Sequence, residues 1–514
     1  MPRPRNFPRC FAPAAAARFA CGFALTALSG VSVSISFAQS RAAFASAVSA
    51  PSGSHFSLGS PLIRVGLMAA LNSRQIVLSA TGGARLIGPE GVEAAAGLGP
   101  WTLTRSGSAY LISDAQNHTL GVLQDGSGWR LQCENADALA CYSIERGALK
   151  HYHGGLEISL RAGRLQVINE VALETYLRGV VSREMGRAPL ESLKAQAVAA
   201  RTFAVSHLGQ WAADGYDVRD TTDSQVYAGA DGETADSDAA IAATTGAILM
   251  QNGAPIAAQF CADCGGVCVP DAAGGCVHDE DAHGKDSPKP PGWSFTLSAP
   301  RLLSLLQPNL KSALTAINTA NPQHPTPSAQ HSLPDDNDRL DPTAAYDVET
   351  VAPPVPASVV PALTALTILE TDASGRVRKM RYTYTMPTSA KNKSKKPPKA
   401  AALSGETSGN ALRSLLGVNA LKSTLFTVKK DADGNFIFSG RGWGHGHGLC
   451  QTGAMALAAE PFCYDFRAIL ARYYPAAALG RLTYLDAEDA AGEARTASAP
   501  TLKTLQSEAK IGRR

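Results

Sequence analysis

Residues 173–204 read LETYLRGVVSREMGRAPLESLKAQAVAARTFA, and this stretch is the strongest guide to the architecture of the chain. Its apolar spacing predicts a short amphipathic helix over Glu174–Glu184, with Gly186 just past its end. Pro189 suits the start of a second helix, which we expect over Leu190–Leu208. That helix is rich in alanine, so neighbouring backbones can approach it closely, and we expect it to be buried.

Short runs of alternating apolar and polar residues surround this helical stretch. Pro61–Gly128 reads as a meander of strands, and His151–Val171 reads as a hairpin with a turn at Arg161–Gly163. A helix is expected over Ala235–Thr245, followed by the strands AILMQNG and APIAAQF on either side of an Asn252-Gly253 turn. Strands and helices in separate runs predict an α+β fold, in which a strand-rich N-terminal part and a helix-containing core frame a groove.

The size and composition of the chain limit the classes of protein it can belong to. The chain has 514 residues, of which 45% are hydrophobic, so several domains with real cores are allowed. Its net charge of +3 is too small to indicate a nucleic-acid partner.

The N-terminal 38 residues read as an export signal. Arg3, Arg5, Arg9 and Arg18 precede the mostly apolar run Phe19–Phe37, and Ser36–Ala38 is a small-x-small cleavage site. The alternative is an uncleaved membrane anchor, because the run is long enough to span a bilayer. Either reading sends the protein to the periplasm, the cell surface or the outside, and leaves this segment as the expected membrane contact.

The remainder divides into a strand-rich region, residues 61–145, and a core over residues 146–486. Low-complexity insertions interrupt the core at about 321–361, rich in Pro, Ser and Asp, and at 387–400, which is basic. Between them a strand pair turns at Ser374-Gly375. Residues 487–514 read as a disordered tail.

Glu184 is the first candidate for chemistry. Most glutamates are solvated surface residues, and Glu174 and Glu191 are expected to be of that kind. Glu184 lies beside Val181 and Met185 and before a turn, so it need not be fully solvated. Apolar surroundings raise the pKa of a carboxyl group, which keeps a proton available near neutral pH.

The local wording YLRGVVSREM resembles YLxGVVxxEM, the core signature of the SpoIID/LytB family. This bacterial cell-wall family includes peptidoglycan lytic transglycosylases and proteins described as amidase enhancers. In its lytic members the matching glutamate is the catalytic acid, so the resemblance implies that role for Glu184. The implied reaction cleaves the bond between N-acetylmuramic acid and N-acetylglucosamine and closes a 1,6-anhydro ring. It needs one carboxyl group that acts first as acid and then as base.

A second stretch, GRGWGHGHGLCQTGA at Gly440–Ala454, resembles the family signature GrGwGHGvGlcQwGA. The alternative is a plain flexible loop. His447 and Thr452 replace more apolar and aromatic residues of the family. The resemblance implies that this run helps to build the glycan cleft through Gly442, Trp443, Gly444, His445, Gly446 and Gln451.

A third stretch, beginning at Asp220, resembles the family's DTTxxQVYxG. Gln225 and Tyr227 are candidate sugar contacts there, with buried, hydrogen-bonded polar groups as the alternative. Arg201, inside the second helix, is expected to pair with a carboxylate in a structural role.

The cysteines leave three readings open: disulfides, a structural zinc site and free thiols. In an oxidising compartment the local groups Cys133/Cys141 and Cys450/Cys463 suit short-loop disulfides. The loop ligands Cys261, Cys264, Cys268 and Cys276 could hold a structural zinc, as some family members do, or form disulfides. No cofactor is required for the expected reaction.

The leading hypothesis is an exported lytic transglycosylase whose partner is the glycan strand of peptidoglycan. The first alternative is a non-catalytic, glycan-binding amidase enhancer, active in wall turnover or sporulation, whose partner is a cell-wall amidase. A zinc-dependent hydrolase centred on residues 261–283 is the third reading.

Overall fold

The computed structural model describes residues 55–58, 62–145, 147–269, 292–308, 361–386 and 401–484. These fall into two compact units, one built from residues up to 257 and from 457 onward, the other from residues 258–456. The predicted export signal, the tail and nearly all of both insertions lie outside the described residues. The boundary predicted near residue 145 stays a prediction.

Three sheets make up most of the first unit. Its strands, numbered in chain order, are β1 (His55–Leu58), β2 (Leu62–Gly66), β3 (Gln75–Ala80), β4 (Ala84–Ile87), β5 (Glu93–Gly97), β6 (Trp101–Ser106), β7 (Ala109–Ser113), β8 (Thr119–Leu123), β9 (Gly128–Cys133), β10 (Ala140–Ile144), β11 (Lys150–Tyr152), β12 (Gly155–Arg161), β13 (Arg164–Ala172), β14 (Val218–Arg219), β15 (Ala247–Gln251), β16 (Ala254–Pro255) and β25 (Ala478–Tyr484). The sheet orders are β14-β2-β13-β12-β9-β4-β5, β11-β10-β3-β6-β7-β8 and β1-β25-β15-β16. The predicted meander and the hairpin of β12 and β13 are confirmed, whereas the strand predicted after Gly253 is limited to Ala254–Pro255.

Among the residues that the structure describes, four α-helices belong to the first unit. They are α1 (Leu173–Met185), α2 (Leu190–Ser206), α3 (Ala235–Ala243) and α7 (Phe466–Tyr473). The first three were predicted to within about two residues at each end. Gly186 has a φ of 59°, a left-handed conformation that favours glycine, and its N–H bonds to Ser182 O as α1 ends.

Helix α2 is buried, as its alanines predicted. It contacts α1, α3, α7 and β15. Five of its alanines have no exposed surface: Ala195, Ala197, Ala199, Ala200 and Ala204. Side chains this small allow four elements to approach one helix closely, so α2 forms the spine of the unit.

The expected structural role of Arg201 is confirmed, and its partner corrects one expectation. Arg201 has no exposed surface, and its Nε and Nη2 both donate to the carboxylate of Glu174 at 2.7 Å. Glu174 was expected to be an ordinary surface glutamate. It instead compensates a buried charge, because a guanidinium in the core requires a carboxylate partner.

Within its described residues, the second unit combines two three-stranded sheets, a short strand pair and three helices. Its strands are β17 (Phe260–Cys261), β18 (Trp293–Leu297), β19 (Ala362–Thr371), β20 (Val377–Met386), β21 (Ala401–Ser408), β22 (Phe426–Lys430), β23 (Phe436–Gly440) and β24 (Leu449–Cys450), and its helices are α4 (Ala299–Leu306), α5 (Gly409–Leu416) and α6 (Gln451–Ala458). The sheet orders are β18-β23-β22 and β19-β20-β21, and β17 pairs with β24. The predicted strand pair at Ser374-Gly375 is confirmed as β19 and β20.

The core of the second unit is apolar and continuous. Phe438, Met380 and Leu412 have no exposed surface and pack in one cluster with residues of α4. The mixture of sheets and helices in both units confirms the α+β class. Across the described ranges, no helix is long and apolar enough to cross a membrane.

Candidate functional site

Glu184 lies in the last turn of α1 and is half-buried. The Val226 N–H donates to Glu184 Oε1 at 2.9 Å, which orients the carboxyl group toward the loop of residues 220–227. A carboxylate in the last turn of a helix interacts unfavourably with the helix dipole. Helix stability therefore gives no reason for an acid at this position.

The loop that holds Glu184 is itself anchored at its start by Asp220. Met68 N–H donates to Asp220 Oδ1 at 3.0 Å, and Tyr227 N–H donates to Asp220 O at 3.2 Å. Burial raises the pKa of the Asp220 carboxyl to about 6, against the hydrogen bond from Met68, which lowers it. Asp220 thus fixes the strand-side end of the loop, and Val226 presents its N–H from the other end.

Gln225 and Tyr227, the two predicted sugar contacts of this loop, lie in the core. Gln225 is 1% exposed, accepts a hydrogen bond from Tyr176 Oη at 3.1 Å and donates to Ala200 O. Tyr227 is 5% exposed and donates to Asn169 Oδ1 at 2.8 Å. Both side chains use partners inside the protein, and a direct sugar contact by either stays a prediction.

Four buried tyrosines form a row beside Glu184 that sequence reasoning missed. Tyr142 and Tyr152 stack at 5.7 Å between ring centroids, Tyr152 and Tyr227 lie 5.9 Å apart, and Tyr227 and Tyr176 lie 4.9 Å apart. Burial, above all, and then Tyr227 and Glu184 raise the pKa of Tyr176. Tyr176 lies on α1 and Tyr227 packs against Gly179 of the same helix, so the row supports the helix that carries Glu184.

Helix α1 is held on its other sides by close packing and ion pairs. A Cβ on Gly179 would lie 2.6 Å from Gly229 O and 2.7 Å from Tyr227, so only glycine allows this approach. Arg178 binds Glu233 at 2.6 Å and Asp238 at 2.9 Å. These contacts fix the helix whose last turn carries Glu184.

The glycine-rich run lies in the second unit, where its backbone pairs with residues 259–263. Trp443 exchanges two backbone hydrogen bonds with Asp263, at 2.8 and 3.0 Å, and Leu449 N–H donates to Gln259 O. The half-buried Trp443 ring has Lys422 Nζ 4.8 Å from its centroid. Gln451 is buried and begins α6.

The glycines of this run are needed for close packing. Gly442 and Gly444 have φ values of 76° and 115°, and a Cβ on them would lie within 2.8 Å of Gly265 N and of Cys261 Cβ, respectively. Gly446, with a φ of 79°, packs directly on the guanidinium of Arg376, where any side chain would collide with it. Arg376 is a residue that the motif did not reveal.

His445 and His447 are neutral at physiological pH. Burial, followed by His447, lowers the pKa of His445 to about 4, and burial, followed by Arg376, lowers the pKa of His447. His447 N–H donates to His445 Nδ1 at 3.0 Å, which makes Nδ1 an acceptor. The His447 ring can therefore offer neutral hydrogen-bonding atoms to a ligand, whereas His445 Nδ1 is already used inside the protein.

The cysteines of this unit bring together a different donor set from the one predicted. In the part of the chain that the structure describes, Asp263, Cys264 and Cys450 place donor atoms within 4.8 Å of one another. Of the four predicted ligands, Cys264 belongs to this cluster. Cys261 and Cys268, which lie within four residues of it in the sequence, are also buried, and Cys276 lies outside the described residues.

This donor set fits part of a zinc site. Two sulfurs and a carboxylate can supply three of the four ligands of tetrahedral zinc. Backbone N–H groups of Cys264 and Gly453 approach Cys450 Sγ at 3.3 and 3.4 Å, and such donors favour a thiolate. Burial, and after it the neighbouring Cys450, raises the pKa of Cys261, so that thiol is protonated. A zinc held by all four predicted cysteines stays a prediction.

The structure brings Glu184, Gln225 and Tyr227 together in the first unit. It places Gly442, Trp443, Gly444, His445, Gly446 and Gln451 together in the second. That the two groups form one glycan groove stays a prediction.

Comparisons with known proteins identify related sequences. The family model described as "Stage II sporulation protein" (SpoIID) matches residues 161–251, which carry α1, Glu184 and the loop of residues 220–227. The predicted resemblance to the SpoIID family is thus confirmed over residues 161–251.

Two relatives extend the match. The "Amidase enhancer" of Bacillus subtilis (strain 168) is 30% identical over 310 residues, which cover 59% of this chain. The chain spans 40% of that protein's length. An uncharacterized protein of Brachyspira hyodysenteriae is 27% identical over 376 residues, covering 71% of this chain and 83% of that protein.

Proposed function

We propose that the chain is an exported lytic transglycosylase that cleaves the N-acetylmuramic acid–N-acetylglucosamine bond of peptidoglycan glycan strands. One observation carries the proposal: Glu184 is a half-buried acid at a helix end where stability does not favour it, and the Val226 N–H orients it. It is the carboxyl group that the family resemblance assigns to the reaction.

In the proposed reaction Glu184 starts protonated and gives its proton to the glycosidic oxygen as the bond to muramic C1 breaks. The carboxylate then takes the proton of the muramyl 6-hydroxyl while O6 bonds to C1. This closes the 1,6-anhydro ring and restores the protonated acid. Since no water attacks, the pair of carboxylates used by hydrolytic glycosidases is not needed.

Digestion of purified glycan strands by the full-length protein tests the proposal, with 1,6-anhydromuramic ends measured by mass spectrometry. Because general acid–base catalysis contributes about 10²–10⁴-fold, Glu184→Gln should lower the initial rate by about that factor. Glu191→Gln is the matched control, since Glu191 lies in the first turn of the next helix, α2, where it pairs with Lys194 and accepts the Phe466 N–H, a bond that a glutamine oxygen can keep. The proposed activity is refuted if the wild-type protein makes no anhydro ends, or if Glu184→Gln cleaves at the wild-type rate.

A second function, enhancement of a cell-wall amidase, is favoured by the name of the Bacillus relative. In that case the chain would bind glycan strands without cleaving them and would stimulate stem-peptide release by a purified wall amidase. Stimulation that is unchanged by Glu184→Gln, without anhydro ends, would assign the enhancer role.

A zinc would have a structural role in either function. Cys264 and Cys450, with Asp263, would hold it and would connect residues 263–264 to the glycine-rich run, which contains Cys450. Cleavage that persists in the presence of a chelator would exclude the hypothesis of a zinc-dependent hydrolase. Measuring zinc in the purified protein by mass spectrometry tests the zinc site itself.

A further inference from the structure

A polar pocket of about 340 Å³ lies within the second unit, lined in part by the glycine-rich run. We call it the arginine pocket. Its lining residues are Val269, Asp372, Arg376, Val377, Arg378, Ser408, Asn410, Thr424, His445 and His447.

The floor of the arginine pocket is a buried charge with unused donors. Arg376 is 1% exposed, and its Nη2 donates to Cys264 O at 2.6 Å and to Val267 O at 3.3 Å. Its Nε and Nη1 have no hydrogen-bond partner among the described residues, and no carboxylate there lies within ion-pair distance. A buried guanidinium without a counter-charge is costly, so this arrangement favours an anion that supplies both the charge and the acceptors.

Two other features of the pocket, Arg378 and the N-terminus of α5, are also positive. Arg378 is exposed at its mouth. Ser408, the N-cap of α5, and Asn410 in its first turn also line it, and a helix N-terminus carries a partial positive charge. His445 and His447 stay neutral because burial and the arginines oppose their protonation.

One acceptor distinguishes among anions. Asp372 Oδ1 accepts N–H bonds from Ser374 and Arg376, whereas its Oδ2 is buried and has no partner within the described ranges. This carboxylate repels a dianion more than a monoanion, and it offers an acceptor to a hydroxyl or amide of the same ligand. A singly charged carboxylate with a neighbouring donor group suits the pocket better than phosphate.

We propose that the arginine pocket binds a carboxylate group of the wall polymer, held by Arg376 and Arg378, with Asp372 accepting from a donor group beside it. The assignment of that carboxylate to peptidoglycan rests on the proposed function. The pocket would then recognise muramic acid that carries no stem peptide, because its lactyl carboxylate is free only there and N-acetylglucosamine lacks it.

Isothermal titration calorimetry on the full-length protein tests the site without turnover. The probes are N-acetylmuramic acid, N-acetylglucosamine and inorganic phosphate. We expect N-acetylmuramic acid to bind at least about tenfold more tightly than either, which corresponds to about 1.4 kcal/mol. Equal affinity for the two sugars would refute the proposal. Tighter binding of phosphate would indicate that the pocket binds a phosphate polymer, and would refute a carboxylate ligand.

Two variants and a control make the assignment specific. Arg378→Gln, at an exposed position, should weaken N-acetylmuramic acid binding by about tenfold. Arg376→Lys, which keeps the charge but loses the planar fork, should weaken it as well. Arg381→Gln removes an exposed charge of the same strand that pairs with Glu406 outside the pocket, and should bind as the wild type does.

Binding in the arginine pocket is refuted if Arg378→Gln binds N-acetylmuramic acid as tightly as the wild type does, or if Arg381→Gln weakens binding as much as Arg378→Gln does. Glu184→Gln should keep full affinity, so a failure of the cleavage reaction is separable from a failure of this pocket.

Discussion

Glu174→Gln should destabilise the first unit through Arg201. In the wild type, Arg201 Nε and Nη2 both donate to the Glu174 carboxylate at 2.7 Å, while Nη1 donates to Ala247 O. Glutamine keeps one acceptor oxygen, turns an NH₂ donor toward the other guanidinium N–H and removes the compensating charge. The variant therefore leaves a fully buried charge without a counter-ion.

The magnitude follows from the exposure of the two side chains. Removing one partner of a buried ion pair costs about 3–5 kcal/mol. Arg201 is 0% exposed but Glu174 is 29% exposed, so water screens part of the interaction, and we expect about 3 kcal/mol. For a unit of this size that lowers Tm by about 6–12 °C.

Thermal and urea unfolding, followed by circular dichroism, measure the loss. Asp223→Asn is the control, because its carboxylate is 60% exposed and pairs with Arg219 on the surface, and it should cost less than about 1 kcal/mol. The double variant Glu174→Gln/Arg201→Met should recover much of the stability by removing the unpaired charge. Equal losses for Glu174→Gln and Asp223→Asn would refute the reasoning.

Two further outcomes can be measured by unfolding. Folding raises the pKa of the Asp220 carboxyl from 3.8 to about 6, so the contribution of Asp220 to stability falls as pH rises through that window. Asp220→Asn should therefore gain stability relative to the wild type between pH 4 and pH 7, by at most about 3 kcal/mol. A stability difference that does not change with pH would contradict this. Gly446→Ala should lower the free energy of unfolding by about 1–3 kcal/mol more than Gly434→Ala does. Both glycines have positive φ, but a Cβ at Gly434 meets only Lys430 Cε at 3.7 Å, whereas a Cβ at Gly446 collides with Arg376. Equal losses in urea unfolding would contradict this steric explanation.

Local patterns in the sequence predicted the secondary structure because the signals are local. The period of α1, the glycine at its end and the alanines of α2 are each decided by neighbours within a few residues. The hairpin turn at Ala162 and Gly163 likewise needs only two residues with positive φ.

The surroundings of the candidate residues were not predictable in this way. Arg376 lies between a turn and the start of β20, where the local sequence gives no reason for its burial, and Gly446, which covers it, lies 70 positions further on. Gln225 and Tyr227 were recognisable as polar residues of a motif. Their burial depends on partners such as Tyr176 and Asn169, which only the tertiary structure identifies.

The parallel pairing of β1 with β25 has a consequence for the order of folding. Residues 55–58 pair with residues 481–484, and β15 pairs with the same strand from its other side. A chain that emerges from its N-terminus must leave both β1 and β15 without their common neighbour until almost all described residues have been synthesised. Contacts so distant in sequence form slowly, so this sheet closes last, and until then its strand edges are open to mispairing.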